Sequence, residues 1–309
     1  MERFWGVLQV VLPVLVIVLS GTLIRRKGMV TASGMGQIKT VLVNLCLPAV
    51  LFRTFYAMEF TWKETSVFFL MSGVTLAAFL LGFVVSKLLR VEHQLTPWLC
   101  TTIEGGSVGY ALFILLFGQD NLYHLALLDA GNALIQWSLV MSALAMRSQG
   151  KRPLGQTLRS LVTPINCAIV AGLLCSATGL GKMISATGAG KTMEAVLDFM
   201  GTPVSAMIMM SVGFDLSFRQ IAWAETVKAI LARVLVFGAL GVAAFLAISR
   251  IFPGDRAYRF AVLVYFILPP TFAYSVYTRD AEESAFLGGY LAVYTLLTIA
   301  AFAVVASFA

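Results

Sequence analysis

Charge is what this chain has least of. Only 12% of its 309 residues are Asp, Glu, Lys or Arg, about half the share of an ordinary soluble domain, so a water-facing globule of this length is excluded. The four cysteines, Cys46, Cys100, Cys167 and Cys175, stand alone in apolar runs with no Cys-x-x-Cys spacing. That pattern indicates neither a disulfide framework nor a metal site, and leaves packing as their role. The phosphate-binding pattern G-x-x-x-x-G-K-[ST] is absent, so ATP-driven pumping within this chain is not expected. The first apolar run has its charges after it and no small-residue cleavage site, so it reads as a span and not as a cleaved leader.

What remains is apolar length. The chain is 59% hydrophobic with a mean hydropathy of +0.89. A helix needs about 20 apolar residues to cross a bilayer. Ten such runs can be counted, at 4–24, 36–57, 65–89, 96–118, 122–146, 160–180, 191–212, 224–249, 257–278 and 283–308. The expected fold class is therefore an all-α integral membrane protein of ten transmembrane helices, with short loops and no sizeable soluble domain. The net charge of +7 is no nucleic-acid signal, because Lys and Arg gather at span ends and in loops. Assigning each to its nearest loop, with the N-terminus outside, gives 13 on the cytoplasmic side and 8 on the other, with Arg233 left inside span eight. This bias predicts that both termini are non-cytoplasmic.

Ten spans divide into five and five at the polar linker RSQGKRPLGQTLR, residues 147–159. Because five is odd, the halves, 1–146 and 160–309, enter the membrane from opposite sides, as in inverted-repeat transporters. Pro48 of span two corresponds to Pro203 of span seven. Gly105-Gly106 in span four corresponds to Pro269-Pro270 in span nine. Proline removes a backbone donor and glycine frees the backbone, so spans four and nine are expected to break near the midplane. Irregular backbone at that depth is tolerated only in protein or beside a wet cavity. The expected first half-helices end near Glu104 and Leu268, and the second begin near Ser107 and Thr271. On this reading Glu104 meets the negative end of a helix, and binds a cation or takes up a proton.

Other buried polar residues follow. Asp129, Asn132 and Gln136 share one face of span five by their i, i+3, i+7 spacing. They suit either a site or helix–helix contact. Asn44 lies four residues before Pro48 and suits either the site or the backbone that the proline frees; Asp198 is similar. Asn166, after Pro164, reads as structural. Tyr265, Tyr274 and Tyr277 flank the second break. Arg53, Arg233 and Arg279 are expected to snorkel from span ends, and His93 and His124 to be interfacial.

These residues carry a family resemblance. The stretches VLVNLCLPAVLF, EGGSVGYALFILLFG, LLDAGNALIQW and ILPPTFAYSVY resemble the auxin efflux carrier family, over the whole chain. The resemblance implies helices four and nine crossing at their breaks, and a scaffold of helices one, two, six and seven, often dimeric. It implies transport helices three to five and eight to ten moving as an elevator, in a bacterial inner membrane. Two positions depart from the family: Glu104 where Asn is usual and Ala111 where Pro is frequent. The implied function is secondary transport of a small organic solute, a carboxylate anion, coupled to protons or sodium. Site residues would be Glu104, Gly105, Gly106, Ser107, Pro269, Pro270, Thr271, Asn44 and Tyr274, with Glu104, Asp129 and Asn132 in ion coupling. No cofactor beyond a bound Na+ or coupled H+ is expected. The alternatives are a sodium-coupled bile-acid-type symporter, an intramembrane enzyme using Glu282-Glu283, and a ligand-sensing receptor. The enzyme is disfavoured by having only two histidines, both at span ends.

Overall fold

The structure, a computed structural model, describes residues 2–57, 62–91, 93–149, 163–215 and 221–309. Among them there is no strand. This is the expected outcome for backbone in apolar surroundings, where every N–H and C=O must find a partner within its own segment. Helix α1 is Glu2–Arg26, α2 is Ala32–Tyr56, α3 is Trp62–Leu88 and α4 is the single turn Thr96–Leu99. A π turn, Gly105–Gly109, leads into α5, Tyr110–Phe117. Helix α6, Leu122–Ile135, passes through a second π turn, Gln136–Val140, into α7, Met141–Gln149. Then come α8, Pro164–Ala177, α9, Leu180–Ser185, α10, Gly188–Gly201, and α11, Val204–Asp215. The chain ends with α12, Trp223–Ile251, α13, Arg256–Ile267, and α14, Ala281–Ala306.

Five of these units are long and apolar enough to cross a membrane: α2, α3, the near-continuous Gly188–Phe214, α12 and α14. A sixth candidate is the pair α5 and Gln119–Ile135, bent by 119° at Gly118. The protein is therefore all-helical and membrane-embedded in character. Helix starts follow ordinary capping chemistry. Thr31, Thr187, Asp255 and Asp280 each accept a backbone N–H from the first turn of α2, α10, α13 and α14, each worth about 1 kcal/mol.

Packing relies on small residues. A methyl group built on Gly21 of α1 would fall 1.9 Å from the Met210 carbonyl oxygen, and one on Gly213 would fall 1.8 Å from that of Val18. Helices α1 and α11 thus touch backbone to backbone, the close approach that stands in for hydrophobic drive in lipid. Gly172 of α8 meets Phe52 and Phe55 of α2 in the same way, and Gly131 of α6 meets Phe68 of α3.

Candidate functional site

The site is built where two interrupted segments pass each other. After α4 stops at Leu99 the chain runs without helix through Thr101–Glu104. After α13 stops at Ile267 it runs extended through Leu268 and the two prolines to Thr271, then makes a 3-10 turn over Phe272–Tyr277. The Glu104 N–H donates to the Pro269 carbonyl at 2.8 Å, and the Thr271 N–H reaches Thr102 Oγ1 at 3.5 Å. Thr102 donates to the Tyr274 hydroxyl at 2.8 Å, which donates to the Trp98 carbonyl at 2.5 Å. A Cβ on Gly109 would come 2.5 Å from Leu268 Cδ1. The two breaks therefore hydrogen-bond to one another, which satisfies backbone groups that neither helix can.

Two sequence expectations need correction here. The second half-helix begins at Gly105 and not near Ser107, and the first ends at Leu99 and not near Glu104. Glu104 consequently lies at the start of a helix: its carbonyl accepts from Gly109 N–H at 3.3 Å. A carboxylate there meets the positive end of the dipole, worth about 0.3–1 kcal/mol in its favour. The adverse dipole expected for Glu104 is absent. The second correction concerns Arg233, which does not snorkel. It is fully buried, donating from Nη2 to the Leu268 carbonyl at 3.0 Å and from Nη1 to the Leu99 carbonyl.

A cavity of about 550 Å³ opens beside the crossing. Glu104, Gly105, Gly106 and Thr271 line it from the crossing, Asp129, Asn132 and Gln136 from α6 and its π turn, and Asn44 and Lys39 from α2. Ile165, Ile208 and Val212 of α8 and α11 give it an apolar wall. Asp129 is held from both breaks: its carboxylate accepts from the hydroxyls of Tyr110 at 3.0 Å and Tyr265 at 3.1 Å. Gly105 is required for this, since a Cβ there would fall 2.2 Å from Asp129 Oδ1. Asn132 donates to Gln136 at 3.0 Å, and its carbonyl oxygen lies 3.2 Å from the Thr75 hydroxyl of α3. Asn44 donates to the Thr40 carbonyl at 2.9 Å and faces the cavity. It does not fill the gap left by Pro48.

Pro269, Pro270 and Tyr274 are not among the cavity's lining residues. The Pro269 carbonyl and the Tyr274 hydroxyl are spent on the crossing itself. The side chains of Ser107 and Asn166 lie outside what the structure describes. Lys39 was not singled out from the sequence. The available signal was periodicity: Lys39, Leu42, Val43 and Leu47 fall on one helical face, the face that lines the cavity.

Away from the cavity, Arg53 pairs with Asp198 at 3.3 Å. Arg279 pairs with Glu283 at 3.0 Å and also donates to Gln94 at 2.7 Å. Arg147 joins the same Glu283, while Glu282 is exposed. His124 is buried against Tyr123 and Tyr258. His93 stacks on Phe286, and burial pushes its pKa below the ordinary histidine value. Compared with known proteins, the chain matches no family model and no curated sequence.

Proposed function

We propose that this protein is a secondary active transporter for a small organic solute bearing a carboxylate. The observation that carries the reading is the cavity at the crossing, where irregular backbone, two carboxylates and one ammonium meet in an otherwise apolar protein. Such sites at paired helix breaks are the usual place for solute and coupling ion. Lys39 and the free N–H groups at the start of the Gly105–Gly109 turn suit the solute carboxylate. Glu104 and Asp129 suit the coupling proton or sodium ion. The resemblance to the auxin efflux carriers points the same way, through the stretches quoted above.

Ten spans in two inverted repeats are part of this proposal. On that count α1 is span one, α10 with α11 span seven, α8 span six and α2 span two. Span one packs on seven and span six on two, the reciprocal pairing that a two-fold relation requires. Gln94, Arg147, Arg279 and Glu283 come together from the ends of loops three, five and nine. His124 and Asp255, 3.6 Å apart, come together from loops four and eight. Alternation of loops between two faces demands this sorting. The proposal includes a dimer through spans one, two, six and seven, elevator motion of the rest, and a bacterial inner membrane with both termini outside.

Two carboxylates facing one ammonium also favour a second reading, in which the solute is zwitterionic and carries its own amine. One measurement serves both. Purified protein is screened by thermal shift with organic acids, amino acids and amines, at two pH values with and without sodium, since a ligand of the folded state raises its midpoint. Hits are then tested for uptake into proteoliposomes under an imposed gradient. Carboxylates alone support the first reading and amino acids alone the second. A binder that is never carried across indicates a receptor.

A further inference from the structure

We infer that Arg233 is a built-in counter-cation for the helix crossing, occupying the place where the carbonyl ends of two broken helices would otherwise call for a bound alkali-metal cation. The inference rests on the transporter reading above and adds to it the class of coupling ion.

Arg233 is the eleventh residue of the 29-residue helix α12, flanked by apolar turns on both sides. Its side chain is 0% exposed. An arginine at mid-span is expensive unless its charge is met inside the protein. Here it is met by two carbonyls, those of Leu99 and Leu268. Leu99 is the last residue of α4 and Leu268 the C-cap of α13. One guanidinium therefore bridges the C-terminal ends of both first half-helices.

The charges agree in sign. The C-terminus of α13 carries up to about −0.5 of an elementary charge, the single turn α4 adds the Leu99 carbonyl, and the guanidinium brings the opposite charge to both. Its faces are covered by π systems, with Cζ 4.1 Å from the Phe237 ring centroid and 5.0 Å from that of Tyr294. These rings stabilise a desolvated cation without a carboxylate. Among the described residues Arg233 makes no ion pair, and its Nε is buried without a hydrogen-bond partner. A side chain kept in such a place serves the carbonyl ends and not an acidic neighbour.

The consequence concerns coupling. In transporters of broken helices, carbonyl ends of half-helices are where a coupling cation is coordinated. With the guanidinium fixed there, a mobile metal ion has no vacancy at the crossing. The ion that moves must instead use the cavity carboxylates, Glu104 and Asp129, where a proton suffices. Arg233 is thus a positioning residue: it holds the two breaks together and touches neither cavity nor solute.

The test uses the full chain in detergent, with melting midpoints measured in sodium chloride and choline chloride of equal ionic strength. The wild type should give the same midpoint in both. Arg233→Ala should melt roughly 5 °C lower or more, and low-millimolar guanidinium or methylguanidinium should recover part of the loss where choline does not. Arg233→Met, which fills the space without charge, should melt lower with no such recovery. A saturable stabilisation of the wild type by sodium over choline would overturn the inference, as would wild-type stability of Arg233→Met. If neither variant inserts, the wild-type comparison of the two salts decides alone. Failure of the transporter reading is separable: a protein that carries no solute under any gradient would still show guanidinium recovery and indifference to sodium.

Discussion

Glu104 and Asp129 are both carboxylates in one cavity, yet their surroundings differ. Asp129 is clamped by two tyrosine hydroxyls and packed against Gly105. Glu104 is partly exposed at the start of a helix. On the transport reading proposed above, Glu104, at the start of the helix, is tested first as the coupling group. Glu104→Gln is expected to fold normally, because the amide is isosteric, and to lose gradient-driven uptake while solute counterflow survives. Gradient dependence equal to wild type in proteoliposomes would move the coupling role to Asp129. Lys39 makes a second prediction. If it meets the solute carboxylate, Lys39→Met removes a charge-assisted hydrogen bond of about 1.5–3 kcal/mol, and KM should rise roughly 10- to 100-fold. His93 makes a third. Its folded-state pKa is lowered by burial, against the raising influence of Glu283, Glu225 and Glu282. The unfolded chain therefore binds the proton more readily, and the stability His93 contributes is complete above about pH 6.5 and lost below it. His93→Phe, which can keep the stack on Phe286, should flatten the fall of melting midpoint between about pH 7 and pH 5.

At the scale of elements, the breaks were legible and their exact borders were not. Gly105-Gly106 and Pro269-Pro270 announce that the apolar runs 96–118 and 257–278 are interrupted, because their backbone chemistry is local. The true limits depend on partners far away in the chain. Thr101 and Thr102 carry no turn signal, yet they leave the helix because Thr102 finds Tyr274 and the Thr271 N–H across the crossing. Glu104 is drawn out of helix by the Pro269 carbonyl. Arg233 was illegible for a different reason, since apolar neighbours look alike whether a helix faces lipid or protein. The two glycines, equivalent in sequence, separate cleanly in structure. A Cβ on Gly105 would sit 2.2 Å from Asp129 Oδ1, whereas one on Gly106 has only Asp129 Oδ2, at 3.8 Å. Gly105→Ala should therefore push Asp129 off its tyrosines and abolish uptake, with a lower melting midpoint. Gly106→Ala should keep uptake within about twofold of wild type and leave the melting midpoint little changed, the change being an ordinary van der Waals contact. Equal behaviour of the two variants in the same uptake and melting assays would refute this assignment of the Asp129 contact.

The whole molecule poses a question of orientation that no contact within it can answer. Lys and Arg prefer the cytoplasmic side, and their distribution over the nine proposed loops and two ends is 13 to 8. The richer side includes the Arg25-Arg26-Lys27 cluster and the linker at 147–159, whose residues from 150 on lie outside the described structure. It also includes Arg279, which shares Glu283 with Arg147 of that linker. Arginines committed to an internal carboxylate have part of their charge neutralised, so the remaining excess rests chiefly on the first loop and the linker. Both lie on the same side of any ten-span arrangement; the largest group on the other side is Arg250, Arg256 and Arg259 around loop eight. The expected orientation is cytoplasmic for the richer side, with both termini outside. A reporter active only in the cytoplasm, fused after Ala309, should be silent, and one active only outside should report. Moving the balance should move the protein: neutralising Arg25, Arg26 and Lys27 together would bring the count to 10 against 8, and a mixed population of reporters is expected. A cytoplasmic C-terminus in the unaltered chain with ten spans inserted would reverse the side assigned to every loop, while leaving the crossing, the cavity and Arg233 where they are.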